Sequence, residues 1–145
     1  MTAPFERTIC SCKDCVDCCK SQPGSLIPGD LERIAAHLNL TIRVAALKFW
    51  ASPGALLMNT ATGSTFRVGT ITPRKVHGKC IFLDDDDRCT IHEVAPAGCA
   101  YFDTHQDREG SAERSKWVVG LQAQPEYQSL RRTLTKATSY NPRWV

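Results

Sequence analysis

The chain has 145 residues, 42% of them hydrophobic and 23% charged, with eight cysteines and a formal net charge of +3. That length suits one ordinary domain burying roughly two thirds of its unfolded surface, so bound metal would supplement a core rather than replace one. No run of eighteen apolar residues is present to span a bilayer, and basic residues are scattered, with pairs at Arg74-Lys75 and Arg131-Arg132 but no basic stripe interleaved with aromatics, which points away from membrane and nucleic acid.

In chain order, Met1 to Thr8 is short and polar, with Glu6 and Arg7 where a secretory signal needs an apolar stretch. A cytoplasmic location is expected. In that reducing compartment, clustered cysteines are more often metal ligands than disulfides. Cys10 to Cys19 reads C-S-C-K-D-C-V-D-C-C and holds five of the eight cysteines. With eight thiolates and two divalent metals the formal +3 becomes −1, so the apparent basicity carries no message about partners.

Pro23-Gly24 signals a turn that ends this block. A helix then runs from Pro28 through Leu38, with Asp30 and Glu32 at the positive end of its dipole and Leu31, Ile34, Ala35 and Leu38 on one apolar face. His37 reads as an ordinary helix residue. Thr41 caps a second helix through Trp50, with Val44, Leu47 and the stem of Lys48 inward. Ser52-Pro53-Gly54 breaks the pattern, a short strand is possible at Leu56-Leu57-Met58, and Thr65 to Thr72 reads as a strand stopped by Pro73.

Cys80 to Leu83 and Arg88 to His92 flank Asp84-Asp85-Asp86-Asp87 and predict a hairpin with an acidic, solvated tip. The aspartates lack the spaced ligands, central glycine and distal glutamate of an EF-hand. Pro96 and Gly98 shape a tight loop that delivers Cys99. A helix over Ser111 to Ala123 buries Trp117, Val118 and Leu121 and exposes Glu113, Arg114 and Lys116, and Pro125 opens another with Tyr127, Leu130 and Leu134 on one face. The tail, with Tyr140 and Trp144, is suited to docking on the body or on a partner. The expected fold is α+β: a small single domain over 1–145, with helices around a short β-hairpin and a cysteine metal cluster as organiser. Its metal-binding core spans 10–102 and its C-terminal helical part 111–138.

Cys12-x2-Cys15-x2-Cys18 has the spacing with which bacterial ferredoxins hold an iron-sulfur cluster, and a C-x2-C step equally supplies half of a tetrahedral zinc site. Cys18 and Cys19 are adjacent, so in extended backbone they point to opposite sides and serve different metals or different cluster edges. Cys80, Cys89 and Cys99 are spaced too widely for a local knuckle and need long-range closure. With Cys10 they complete eight candidate metal ligands. His92 and His105 are further candidates, although a lone histidine is more often a polar surface residue.

These residues resemble the YkgJ-type cysteine-cluster proteins, the CxxCxxCC family of zinc- or iron-chelating domains. Cys12, Cys15, Cys18 and Cys19 match its defining run; Cys80-Ile81-Phe82-Leu83, Cys89-Thr90-Ile91-His92 and Pro96-Ala97-Gly98-Cys99 match its second block; Pro28-Gly29-Asp30 matches its helix opening. Three positions depart: His92 stands for a tyrosine, Ala95 for an arginine that would hold a carboxylate or carbonyl in the metal loop, and Cys10 is extra. The resemblance implies metal chelation and transfers no reaction.

The expected function is therefore metal binding by clustered thiolates, with an iron-sulfur cluster or zinc as cofactor and an electron-transfer or redox role. The alternative is a zinc-stapled interaction module or accessory subunit of a larger assembly with a protein partner, to which the tail contributes. No glycine-rich dinucleotide loop, P-loop or acid pair marks an enzyme, so a catalytic role would rest on a thiolate spared by the metals, for which Cys10 is the candidate. The sequence names no small-molecule substrate.

Overall fold

The structure, a computed structural model, describes residues 3–7, 23–54, 56–59, 61–102 and 107–136. Cys10, Cys12, Cys15, Cys18, Cys19, His105 and the tail with Tyr140 and Trp144 lie outside the described residues. Helix α1 (Asp30–Leu38) forms where the 3.6-residue periodicity placed it, burying Leu31, Ile34 and Ala35, and Asn39 ends it in a left-handed conformation. Its first turn starts two residues later than expected, because Pro28-Gly29 is a turn that precedes the helix.

Helix α2 (Ile42–Ala46) has the expected cap, with the Thr41 hydroxyl accepting from Val44 N–H at 3.2 Å, but it stops well short of Trp50. Phe49 instead enters the core on strand β1 (Phe49–Ser52), a case of sheet pairing overriding helix propensity. The inward face predicted for this helix is corrected accordingly. Ala45 is buried, whereas Val44 and Leu47 are exposed.

The strand expected over Thr65 to Thr72 is two strands with different partners. Strand β2 (Leu56–Met58) pairs with β3 (Thr65–Arg67), and β1 pairs antiparallel with β4 (Thr70–Pro73), with Phe49 opposite Pro73 and Ala51 opposite Ile71. The acidic hairpin is likewise corrected. Cys80 lies on a tighter hairpin of β5 (Lys75–Val76) and β6 (Lys79–Cys80), turned by His77 and Gly78, both at positive φ as a two-residue hairpin loop requires. Around the four aspartates the two segments pair without forming extended strands, through the Leu83–Cys89 bridge and the bonds from Thr90 N–H to the Phe82 carbonyl and from Asp84 N–H to the Arg88 carbonyl. The loop closes on itself, with Asp84 Oδ1 accepting from the N–H groups of Asp86 and Arg88, and Asp84, Asp85 and Asp86 face solvent as expected.

A 3₁₀ turn (His92–Val94) and the short helix α3 (Ala97–Ala100) follow, and α3 carries Cys99. Helix α4 (Arg108–Gln122) begins before the Ser111 cap predicted for it, since the Asp107 carboxylate accepts from Gly110 N–H at 2.7 Å. Helix α5 (Pro125–Arg132) opens on proline and buries Tyr127. The architecture is α+β, with helices and short antiparallel strand pairs.

Among the described residues, two apolar clusters form the core. Leu26, Leu31, Ile34, Phe49, Ile71, Cys80, Phe82, Ile91 and Tyr127 belong to the first; Ile27, Ala97, Ala100, Tyr101 and Val118 form the second, with Phe5 and Trp117 packed on it. The segment that follows the cysteine block thus threads both, Leu26 in one and Ile27 in the other. No described helix is long and apolar enough to cross a membrane.

Candidate metal centre

The segment Gly24 to Ile27 is fixed by polar groups that hydrophobic patterning does not report. Leu26 N–H donates to the Ile71 carbonyl at 2.8 Å, and the Tyr127 hydroxyl completes the junction by accepting from Ile71 N–H and donating to the Leu26 carbonyl, both at 2.8 Å. Gln122, 2% exposed, donates to the same carbonyl and to the Ser25 hydroxyl. Burial pushes the Tyr127 phenol well above its ordinary value, so it stays a neutral donor.

Asp30 does the same for the next link. Its side chain is fully buried, and one carboxylate oxygen, Oδ2, accepts from Ile27 N–H at 3.0 Å and from Ala97 N–H at 2.9 Å, while Oδ1 is ion-paired with Arg33. The first bond holds the segment that leaves the cysteine block. The second holds the first residue of α3, two positions before Cys99. Burial raises the carboxyl above its ordinary value, against the two N–H groups and Arg33, which favour the charged form.

Between these two strands of chain there is no room for a side chain. A Cβ on Gly24 would stand 2.3 Å from Cys99 N and 2.7 Å from Cys99 Sγ, and one on Gly98 would stand 2.4 Å from Ser25 N. Pro23-Gly24 is therefore a close crossing where the sequence suggested a turn. Gly24 N–H donates to Cys99 Sγ at 3.3 Å and Gly98 N–H to the Ser25 carbonyl at 2.9 Å. A sulfur that accepts a backbone N–H is an environment suited to a thiolate, and hydrogen bonds to ligating sulfurs tune metal centres.

The other flank of the block also meets this region. Arg7 donates to the Ala95 carbonyl at 2.8 Å and lies 5.8 Å from the Tyr101 ring centroid. A guanidinium thus reaches the loop before Pro96 from the N-terminus, although position 95 itself lacks the expected arginine.

Cys80 is buried in the first core cluster, whereas Cys89 and Cys99 are half-buried. His92 starts the 3₁₀ turn and is exposed. Among the described residues, no three cysteine, histidine, aspartate or glutamate side chains form a group that could hold a metal ion. The expectation that Cys80, Cys89 and Cys99 come together is therefore not met by these three alone. Sequence reasoning missed Asp30, which it read as a dipole residue, and the Gly24–Gly98 crossing; the only signal was their place in short Pro-containing motifs.

A family model described as "CxxCxxCC: Putative zinc- or iron-chelating domain" matches residues 11–118. No curated protein and no solved structure matches significantly.

Proposed function

The chain belongs to this CxxCxxCC family of zinc- or iron-chelating domains, and from that premise we propose that it holds its metal through thiolates of both cysteine blocks. The first block supplies Cys12, Cys15, Cys18 and Cys19, with Cys10 as the extra member. Cys80, Cys89 and Cys99 complete the set. The observation that carries the reading is the crossing of Gly24 over Gly98 with its N–H donated to Cys99 Sγ, because only five positions separate Cys19 from Gly24. Five residues span at most about 18 Å, a length of chain that allows Cys19 to reach Cys99.

The centre is an iron-sulfur cluster or zinc, and the C-x2-C-x2-C spacing favours iron with a redox role. A cluster would supply one-electron chemistry at this point, whereas zinc would supply a rigid tetrahedral crosslink. The chain's own contribution is the same in both cases: Asp30, Tyr127 and Gln122 fix the exit of the first block, and Gly24 N–H hydrogen-bonds one sulfur.

One observation favours a second reading, a zinc-stapled module or accessory subunit that docks on a protein. Leu47 is 67% exposed, Met58 63% and Leu56 59%. Anaerobic purification with an absorption spectrum and analysis of metal and sulfide decides between the two. Visible sulfur-to-iron charge-transfer bands with iron and sulfide are expected; a colourless protein holding zinc would overturn the redox reading and leave the docking module.

A further inference from the structure

The N-terminal residues Ala3 to Arg7 precede the cysteine block, yet they are held on the same part of the fold as the residues that follow it. Phe5 meets Trp117 edge to face at 5.8 Å, Trp117 meets Tyr101 in the same way at 5.2 Å, and the Arg114 guanidinium lies 4.8 Å from the Phe5 centroid. Arg7 ends the strap with its bond to the Ala95 carbonyl and its approach to the Tyr101 ring. Ala95 and Tyr101 bracket α3 and its Cys99. The residues on either side of the block 8–22 thus meet the same region, Arg7 at the two flanks of α3 and Gly24 at Gly98 and Cys99 of the helix itself.

We propose that the strap Ala3–Arg7 is a latch on the thiolate loop, with Arg7 as a positioning residue that slows loss of the metal. This rests on the reading that the two cysteine blocks share a metal centre. Two properties suit Arg7 to the task. A thiolate centre carries net negative charge, for instance two minus for four thiolates on one Zn²⁺, and a guanidinium nearby favours it. Its planar fork also grips a carbonyl while lying against an aromatic ring, which an ammonium does less well. Phe5 gives the latch its apolar hold on the second core cluster. Arg114 donates to the Gly110 carbonyl at 3.1 Å and lies over the Phe5 ring, while its buried Nε has no hydrogen-bond partner among the described residues.

The test is release of metal from the full-length, metal-loaded protein into an excess of chelator, for wild type, Arg7→Ala, Arg7→Lys and Phe5→Ala. Arg7→Ala and Phe5→Ala should load the same metal per chain as wild type but release it about tenfold faster, the scale of one hydrogen bond and one cation–π or aromatic contact. Arg7→Lys should fall between. Release within twofold of wild type in both Arg7→Ala and Phe5→Ala overturns the latch while leaving the metal reading intact; a wild type that holds no metal overturns both. Should either variant fold poorly, the wild type suffices. Trypsin should cut after Arg7 at least tenfold more slowly in the metal-loaded than in the metal-stripped protein, and equal rates refute the proposal.

Discussion

Replacing Asp30 by alanine removes the acceptor that ties Ile27 to the first residue of α3. Ile27 N–H and Ala97 N–H would each be left buried without a partner, at about 1–3 kcal/mol apiece. Part is recovered because a buried charge disappears too. Arg33, whose side chain is 49% exposed, turns to water and contributes at most ~1 kcal/mol. The net loss is about 2–4 kcal/mol, or roughly 6–12 °C in Tm for a chain of this size. Asp30→Asn keeps one oxygen for both N–H groups and should lose only about 1 kcal/mol. Urea melts of both variants, with unchanged m-values, measure the difference. Alanine and asparagine variants within 0.5 kcal/mol of each other, a threshold about the usual scatter of such ΔΔG values, would refute the role assigned to Oδ2.

The raised Asp30 carboxyl has a defined pH signature: its folded state binds the proton more tightly than the unfolded chain, so its stabilising contribution is complete below the ordinary value of 3.8 and is lost as pH rises through the folded pKa. The advantage of wild type over Asp30→Asn should shrink from acid toward neutral pH in paired denaturation series, and an advantage that grows would contradict the burial argument. Gly24→Ala forces a Cβ into the Cys99 backbone and should destabilise by about 1–3 kcal/mol with loss of metal, while Gly120→Ala, in the last turn of α4 with open space around its Cβ among the described residues, should stabilise by about 0.5 kcal/mol in the same thermal melts. Tyr127→Phe leaves Ile71 N–H without its acceptor and should cost about 1–3 kcal/mol by urea denaturation; a neutral effect would show that the hydroxyl is not holding the Leu26 junction.

Helix α1 was legible because apolar residues at spacings of three and four are a local signal, although Pro28, expected as its first residue, lies in the turn that precedes Asp30. Helix α2 was legible only at its cap. Its end depends on Phe49 pairing across to Pro73, a contact 24 positions away that no local window contains. The hairpin bearing Cys80 turns instead at His77-Gly78, where a histidine adopts a positive φ that its residue type does not signal. For the site, cysteine spacing named the candidate ligands, but the groups that fix the chain from Gly24 to Ile27 are a buried carboxylate, a phenol, an amide and two glycines. Their roles arise from burial and from two backbones crossing, so they leave no periodic trace in the sequence.

If Cys99 and the first cysteine block share one metal centre, as proposed, removing the Cys99 thiolate opens a four-ligand site. Metal content per chain should then fall by about half or more in Cys99→Ser relative to wild type, both purified anaerobically. Full metal content in Cys99→Ser would contradict it.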